Sequence, residues 1–172
     1  MKLYLKTTVV VLGLWLLCFL GYQVYAKMQY KQEVEAALKT IPDFSFETLE
    51  GKTFTQNNLD TDQPTVLIYF NSGCDYCQHE AQSIEQHIDA FKNVQLVFVS
   101  YETKEAIQQF SKTYKLNNYD NIILLSDTRD DFANRFDATS IPYLLIYDKD
   151  KKLIAKHKGQ LRAESIIEML NL

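Results

Sequence analysis

This sequence of 172 residues predicts an α/β fold: a central mixed β-sheet flanked by helices. Three observations carry that expectation. The runs at 65–70, 94–100 and 122–125 are nearly all apolar, and their length suits strands buried on both faces. Segments with helical spacing separate them, the alternation that builds parallel pairings. Two late runs, 143–147 and 153–158, flank Asp148-Lys149-Asp150-Lys151, a hairpin signal that adds an antiparallel edge and makes the sheet mixed.

Taken in order, the elements begin with an uncharged stretch, 7–26, preceded by Lys2 and Lys6. Its length matches a bilayer-crossing helix, and the lysines before it favour a cytoplasmic N-terminus. Two readings stand: a retained signal-anchor, and a signal peptide cleaved after Val24-Tyr25-Ala26. The length of the run favours the anchor, and both readings export the rest of the chain. The expected organisation is therefore a transmembrane segment over 1–26, a stalk helix and linker over 27–41, and an α/β domain over 42–172. In the stalk, Val34, Ala37, Leu38 and Ile41 share one helical side, and Pro42 ends it.

The domain opens on an N-terminal hairpin. Phe44-Ser45-Phe46 and Thr53-Phe54-Thr55 alternate around Glu50-Gly51-Lys52. After the strand at 65–70 comes a helix over 78–91 with Ala81, Ile84, Ile88 and Phe91 inward. Beyond the strand at 94–100 a helix spans 102–114, with Ala106, Ile107 and Phe110 inward. A strand at 122–125, a short helix at 130–136, the closing hairpin and a last helix at 163–170 complete the pattern. No internal repeat and no low-complexity tract interrupts it.

Composition excludes some partners. Hydrophobic residues make up 47% and charged residues 23%, enough for a packed core and too apolar for a disordered acidic chain. All 22 acidic residues follow Ala26, as do all but two of the 18 basic ones, so the exported part is acidic. With no basic stripe, nothing invites nucleic acid.

The three cysteines are Cys18, in the apolar N-terminal run, and Cys74 and Cys77 in Cys74-Asp75-Tyr76-Cys77. The close pair follows the strand at 65–70 and opens a helix, at the carboxyl end of a strand where such sheets place their sites. A helix N-terminus offers free N–H groups and partial positive charge, which favour the thiolate, the nucleophilic form. The i, i+3 spacing lets a short disulfide close and reopen. Cys74, nearer the loop, is expected to be the nucleophile. Cys77, one turn into the helix, is expected to be the buried resolving thiol. Asp75 admits two readings: a charge that opposes the neighbouring thiolate, or a solvated residue that caps the helix.

On these residues the chain resembles the thioredoxin fold, and more closely the exported thiol–disulfide oxidoreductases of the TlpA/ResA type within the redoxin group. Four features carry the resemblance: Cys74-Asp75-Tyr76-Cys77 after the core strand; Glu80, completing a Cys-x-x-Glu pattern; Ile141-Pro142 leading into Tyr143-Leu144-Leu145-Ile146; and Gly159 after the last strand. The interval 78–141 is longer than in plain thioredoxin, as in the TlpA-type group. Gly73 stands where Trp is frequent, Asp75-Tyr76 replaces the Pro-containing interior, and Gln82 stands where Pro often follows. The resemblance implies a cis Pro142 that presents the Ile141 backbone to a client strand, and a Glu80 that handles the proton of Cys77. It implies no cofactor beyond the redox-active Cys74–Cys77 disulfide. The implied partners are disulfide-bearing exported proteins and a dithiol electron donor. The implied place is the cell membrane, single-pass, with the catalytic domain on the extracytoplasmic (periplasmic) side.

Other functions weigh less. A redoxin-type peroxidase needs Thr or Ser three residues before its reactive cysteine, and Asn71 stands there. A copper-delivery protein on this fold uses a histidine ahead of the proline, and none occurs between His87 and Pro142. One cysteine pair cannot make a four-cysteine zinc site. A non-enzymatic thiol- or metal-binding module remains the alternative of a different class. His79, His87 and His157 read as surface positions.

Overall fold

The computed structural model describes the chain from residue 2 to residue 172, with side chains from residue 12 onward. It divides into two units, Met1–Ala37 and Leu38–Leu172.

The first unit is one helix, α1 (Lys2–Ala37), which passes position 26 without a break. Leu12, Leu14, Trp15, Leu16, Leu17, Phe19 and Leu20 are all exposed. These positions lie on every side of a helix, so it has no polar face over this stretch. Among the described residues no helix is long and apolar enough to cross a membrane. The expected span over 7–26 begins in residues 7–11, whose side chains lie outside the described residues. The helical part of the segment expected as stalk and linker over 27–41 stops at Ala37. Thr40 instead makes an antiparallel bridge to Lys152, and Leu38 is buried.

The second unit is built on a seven-stranded sheet of β1 (Ser45–Thr48), β2 (Thr53–Thr55), β3 (Thr65–Tyr69), β4 (Gln95–Ser100), β5 (Ile122–Ser126), β6 (Tyr143–Tyr147) and β7 (Leu153–Lys158). Their spatial order is β2-β1-β5-β4-β3-β6-β7. The central β3, β4 and β5 run parallel, while β6 and β7 on one side and β1 and β2 on the other add antiparallel pairings. The sheet is mixed, as the sequence predicts. Every residue of β3 and β6 is buried, which explains why neither shows polar alternation: both faces are covered.

Helices α2 (Asp75–Gln86), α3 (Lys104–Thr113), α4 (Asp131–Arg135) and α5 (Ala163–Leu170) complete the unit. The apolar face of α2 is Cys77, Ala81 and Ile84, with Glu80 buried among them. These positions recur at i, i+3, i+4 and i+7, so one helical stripe meets the core. One helix was expected over 78–91; instead α2 begins at Asp75 and ends at Gln86, and Ile88–Phe91 form a separate short turn that seats Phe91 in the core. A second aromatic group, Phe44, Phe46, Phe132 and Phe136, ties the N-terminal hairpin to α4. Gly51 adopts φ +83°, the left-handed conformation that lets the hairpin turn between β1 and β2.

Candidate active site

Strand β3 ends at Tyr69, and the chain turns through Asn71, Ser72 and Gly73 into α2. Two hydrogen bonds shape the turn: the Cys74 N–H donates to the Asn71 carbonyl at 3.1 Å, and the Gly73 N–H donates to Asn71 Oδ1 at 2.9 Å. Cys74 is the residue immediately before the helix, with extended backbone (φ −88°, ψ 116°). Its sulfur accepts the Cys77 backbone N–H at 3.4 Å. A thiolate at this point would therefore meet one of the N–H groups that a helix start leaves without an intrahelical partner. The cap is Cys74 itself; Asp75 is the exposed first residue of the helix. This corrects the reading of Asp75 as the cap.

Cys74 is half-buried and Cys77 is buried, and both are free thiols. Cys77 lies on the core-facing stripe of α2. Burial pushes its thiol up, and the charges of Cys74 and Glu80 push it the same way; a hydrogen bond from the Asn71 backbone opposes them. Glu80, one turn further along, is 1% exposed. Its Oε1 accepts the Leu161 N–H at 2.9 Å, and its Oε2 is buried without a hydrogen-bond partner. Burial raises the carboxyl to about 8, with the Leu161 bond pulling the other way. A carboxyl with this value exchanges its proton near neutral pH.

Pro142 follows a cis peptide bond. Ile141 lies beside Cys74: its carbonyl oxygen is 3.9 Å from Cys74 Sγ. Cys74, Cys77, Glu80, Ile141 and Pro142 thus gather at one end of the sheet, from α2 and from the loop before β6. His79 is exposed, and His87 is turned toward Glu164 at 3.4 Å. Among the described residues, no group of three or more His, Cys, Asp or Glu is placed to hold a metal ion.

Three residues of the surroundings escaped the sequence reading. Leu161 supplies the N–H that holds Glu80 from a position 81 residues away. Ser72 and Glu102, 30 residues apart, join the cysteine-bearing loop to the end of β4. No local pattern marks any of them.

A central sheet flanked by helices, with a cysteine capping the helix after β3 and a cis-proline beside it, defines a thioredoxin-like protein with a dithiol site. The family comparison is more specific. Residues 38–156 match the AhpC/TSA family, and the chain belongs to it. Its homologues include thiol–disulfide oxidoreductases: it is 23% identical to the thiol–disulfide oxidoreductase ResA of Bacillus subtilis, over 99% of this chain and 93% of that one. Among solved structures it is similar to Mycobacterium tuberculosis dsbF, with a TM-score of 0.66 and 24% identity over 79% of this chain and 96% of that one. It is also similar to a secreted M. tuberculosis disulfide oxidoreductase homologous to Escherichia coli DsbE. There the TM-score is 0.62 and the identity 25%, over 79% of this chain and 95% of that one.

Proposed function

We propose that this chain is an extracytoplasmic, membrane-tethered thiol–disulfide oxidoreductase that reduces disulfides of exported client proteins with the Cys74–Cys77 pair. The observation that carries the reading is the placement of Cys74 Sγ, between the Cys77 N–H at 3.4 Å and the Ile141 carbonyl at 3.9 Å, with Cys77 buried behind it.

In this reading the Cys74 thiolate attacks one sulfur of a client disulfide. A bond forms between Cys74 and that sulfur, the client S–S bond breaks, and the other client sulfur leaves as a thiolate. The Ile141 backbone pairs with the client strand and holds the disulfide in line with Cys74. Cys77 then loses its proton to Glu80 and attacks Cys74 Sγ. The Cys74–Cys77 bond forms and the second client thiolate departs. The client gains two electrons and the pair is oxidised; a dithiol donor returns it to the reduced state by the same exchange in reverse.

Glu80 suits the proton step for a physical reason. The buried Cys77 resists ionisation in the resting protein, which protects it from chance oxidation. It needs a base only when the mixed disulfide has formed, and the ionised form of a carboxyl near 8, with a bare buried oxygen, is such a base. The tether rests on the uncharged run 7–26 and on the exposed apolar residues along α1.

The mutants test the roles directly. Cys77→Ser should accumulate a covalent adduct with a disulfide-bearing client, seen on a non-reducing gel and released by reductant. Cys74→Ser should form none. Adducts on Cys77 in the second variant would reverse the two roles, and no adduct in either would remove the exchange mechanism.

A further inference from the structure

Glu102 stands just past the end of β4 and just ahead of Thr103, the cap of α3. Its carboxylate faces the loop that carries Cys74. Oε2 accepts the Ser72 N–H at 2.6 Å, and Oε1 accepts the Ser72 hydroxyl at 2.7 Å. Oε2 also accepts the Ser100 hydroxyl at 3.1 Å. The base of the residue is fixed as well: its N–H donates to Ser100 Oγ at 3.3 Å, and its carbonyl accepts the Ser126 hydroxyl at 3.1 Å. Ser100 and Ser126 are buried residues at the ends of the paired strands β4 and β5. One carboxylate thus grips Ser72 with two short bonds and takes a third from Ser100 of β4, while the backbone of Glu102 is held by Ser100 and by Ser126 of β5.

Ser72 sits between the residues that hold the two thiols. Asn71 on one side accepts the Cys74 N–H through its carbonyl, and its backbone hydrogen bond favours the ionised Cys77. Gly73 on the other side leads directly into Cys74. Gln78 Nε2 adds a bond from α2 to the Ser72 carbonyl at 2.8 Å. A movement of Ser72 therefore carries both sulfur environments with it. A hydrogen bond to a charged acceptor is worth more than a neutral one, and two on one residue fix orientation as well as distance.

We propose that Glu102 is a positioning residue for the dithiol: it anchors the 71–73 loop to the ends of β4 and β5 and so holds Cys74 within reach of Cys77. It touches neither sulfur and acts through Ser72. The inference rests on the functional reading above and goes further, because it places a determinant of the pair's redox equilibrium outside the Cys-x-x-Cys segment. The closeness of two thiols sets how readily their disulfide closes relative to a flexible reference dithiol, in the same way that orientation sets an effective molarity. Releasing Ser72 should make closure less favourable and the pair more oxidising.

The test is equilibration of the full chain in detergent with reduced and oxidised dithiothreitol, followed by thiol alkylation and mass measurement, for wild type, Glu102→Ala and Glu102→Gln. Glu102→Ala should lower the equilibrium constant for forming the Cys74–Cys77 disulfide about tenfold, which for two electrons is about 30 mV. Glu102→Gln should stay within about threefold of wild type, because an amide oxygen still accepts the Ser72 N–H and a serine hydroxyl can turn to accept from the amide nitrogen. Thermal melting of the reduced forms, run in parallel, separates a lost anchor from general destabilisation, which shifts melting without shifting the couple. Should Glu102→Ala fail to fold, Ser72→Ala removes one of the two short bonds and should move the constant in the same direction by about threefold. Wild-type equilibria in Glu102→Ala, or in Ser72→Ala where it substitutes, would overturn the proposal. So would a shift in Glu102→Gln as large as that in Glu102→Ala, which would assign the effect to charge. If wild type itself has no reversible couple, the functional reading fails; if it has one that Glu102→Ala leaves unchanged, only the role of Glu102 fails.

Discussion

Glu80 shows how burial alone can turn an ordinary side chain into a reagent. Its carboxyl is raised from 4.5 to about 8 by loss of solvent, and only the Leu161 N–H offsets that. A folded value above the unfolded one means that the folded protein holds this proton more tightly. The associated stability is complete below pH 4.5 and is lost as pH rises through about 8. Glu80→Gln should therefore flatten the fall in denaturant stability over that window, as read by urea unfolding at a series of pH values; an unchanged slope would place the carboxyl in water. The same substitution should remove an inflection near pH 8 from the rate of mixed-disulfide resolution. Its persistence would assign that proton step elsewhere. A Glu three residues after a cysteine is legible as a helix neighbour. That it would be buried and orphaned at one oxygen depends on Leu161, far along the chain, and nothing local announces it. The cap at Cys74 is similar: the sequence offers Asp75, an ordinary capping residue, but the helix begins one position earlier and uses sulfur.

Helix α2 carries the chemistry, and its seat in the core decides where the two sulfurs stand. Ile84 is fully buried on the stripe shared with Cys77 and Ala81. Ile84→Ala should cost about 2–5 kcal/mol of unfolding free energy, the usual range for emptying such a site. It should lower the denaturant midpoint with little change in slope; a loss under about 1 kcal/mol would mean that the helix is not anchored there. The elements most readable in the sequence are those with the strongest apolar pattern. The strands Tyr143–Tyr147 and Leu153–Lys158 and the helix Ala163–Leu170 have the expected limits. Errors gather at helix ends, where the last turn competes with local bonds. The segment after β4 is an example: helix was expected from 102, but Glu102 is drawn into the Ser72 and Ser100 bonds, and α3 starts at Lys104 behind the Thr103 cap. Its sequence is helix-permissive; its partners lie on other elements.

For the whole molecule, the order of strands was not written in the sequence, although the mixed character of the sheet was. Parallel pairing of β3, β4 and β5 follows from alternating strands and helices. The placing of β6 beside β3, which brings Ile141 to Cys74, is a long-range outcome of packing. The tether is a separate claim at this scale. The full chain should remain with the membrane pellet through high salt and alkaline carbonate and move to the supernatant in detergent. Release by carbonate alone would deny an integral span and leave a cleaved or peripheral N-terminus.

The central claim, a reversible dithiol that reduces clients, is tested most directly by the reduction potential of the Cys74–Cys77 pair in the full chain, measured against dithiothreitol or glutathione. The buried Cys77 resists ionisation, and Glu80 adds to that resistance. Poorly ionised thiols favour the disulfide, so the predicted result is a two-electron couple at or below about −270 mV, the range of thioredoxin. A value near about −120 mV, that of a strong oxidant, would make the protein a disulfide donor, and the absence of any reversible couple would contradict the account altogether.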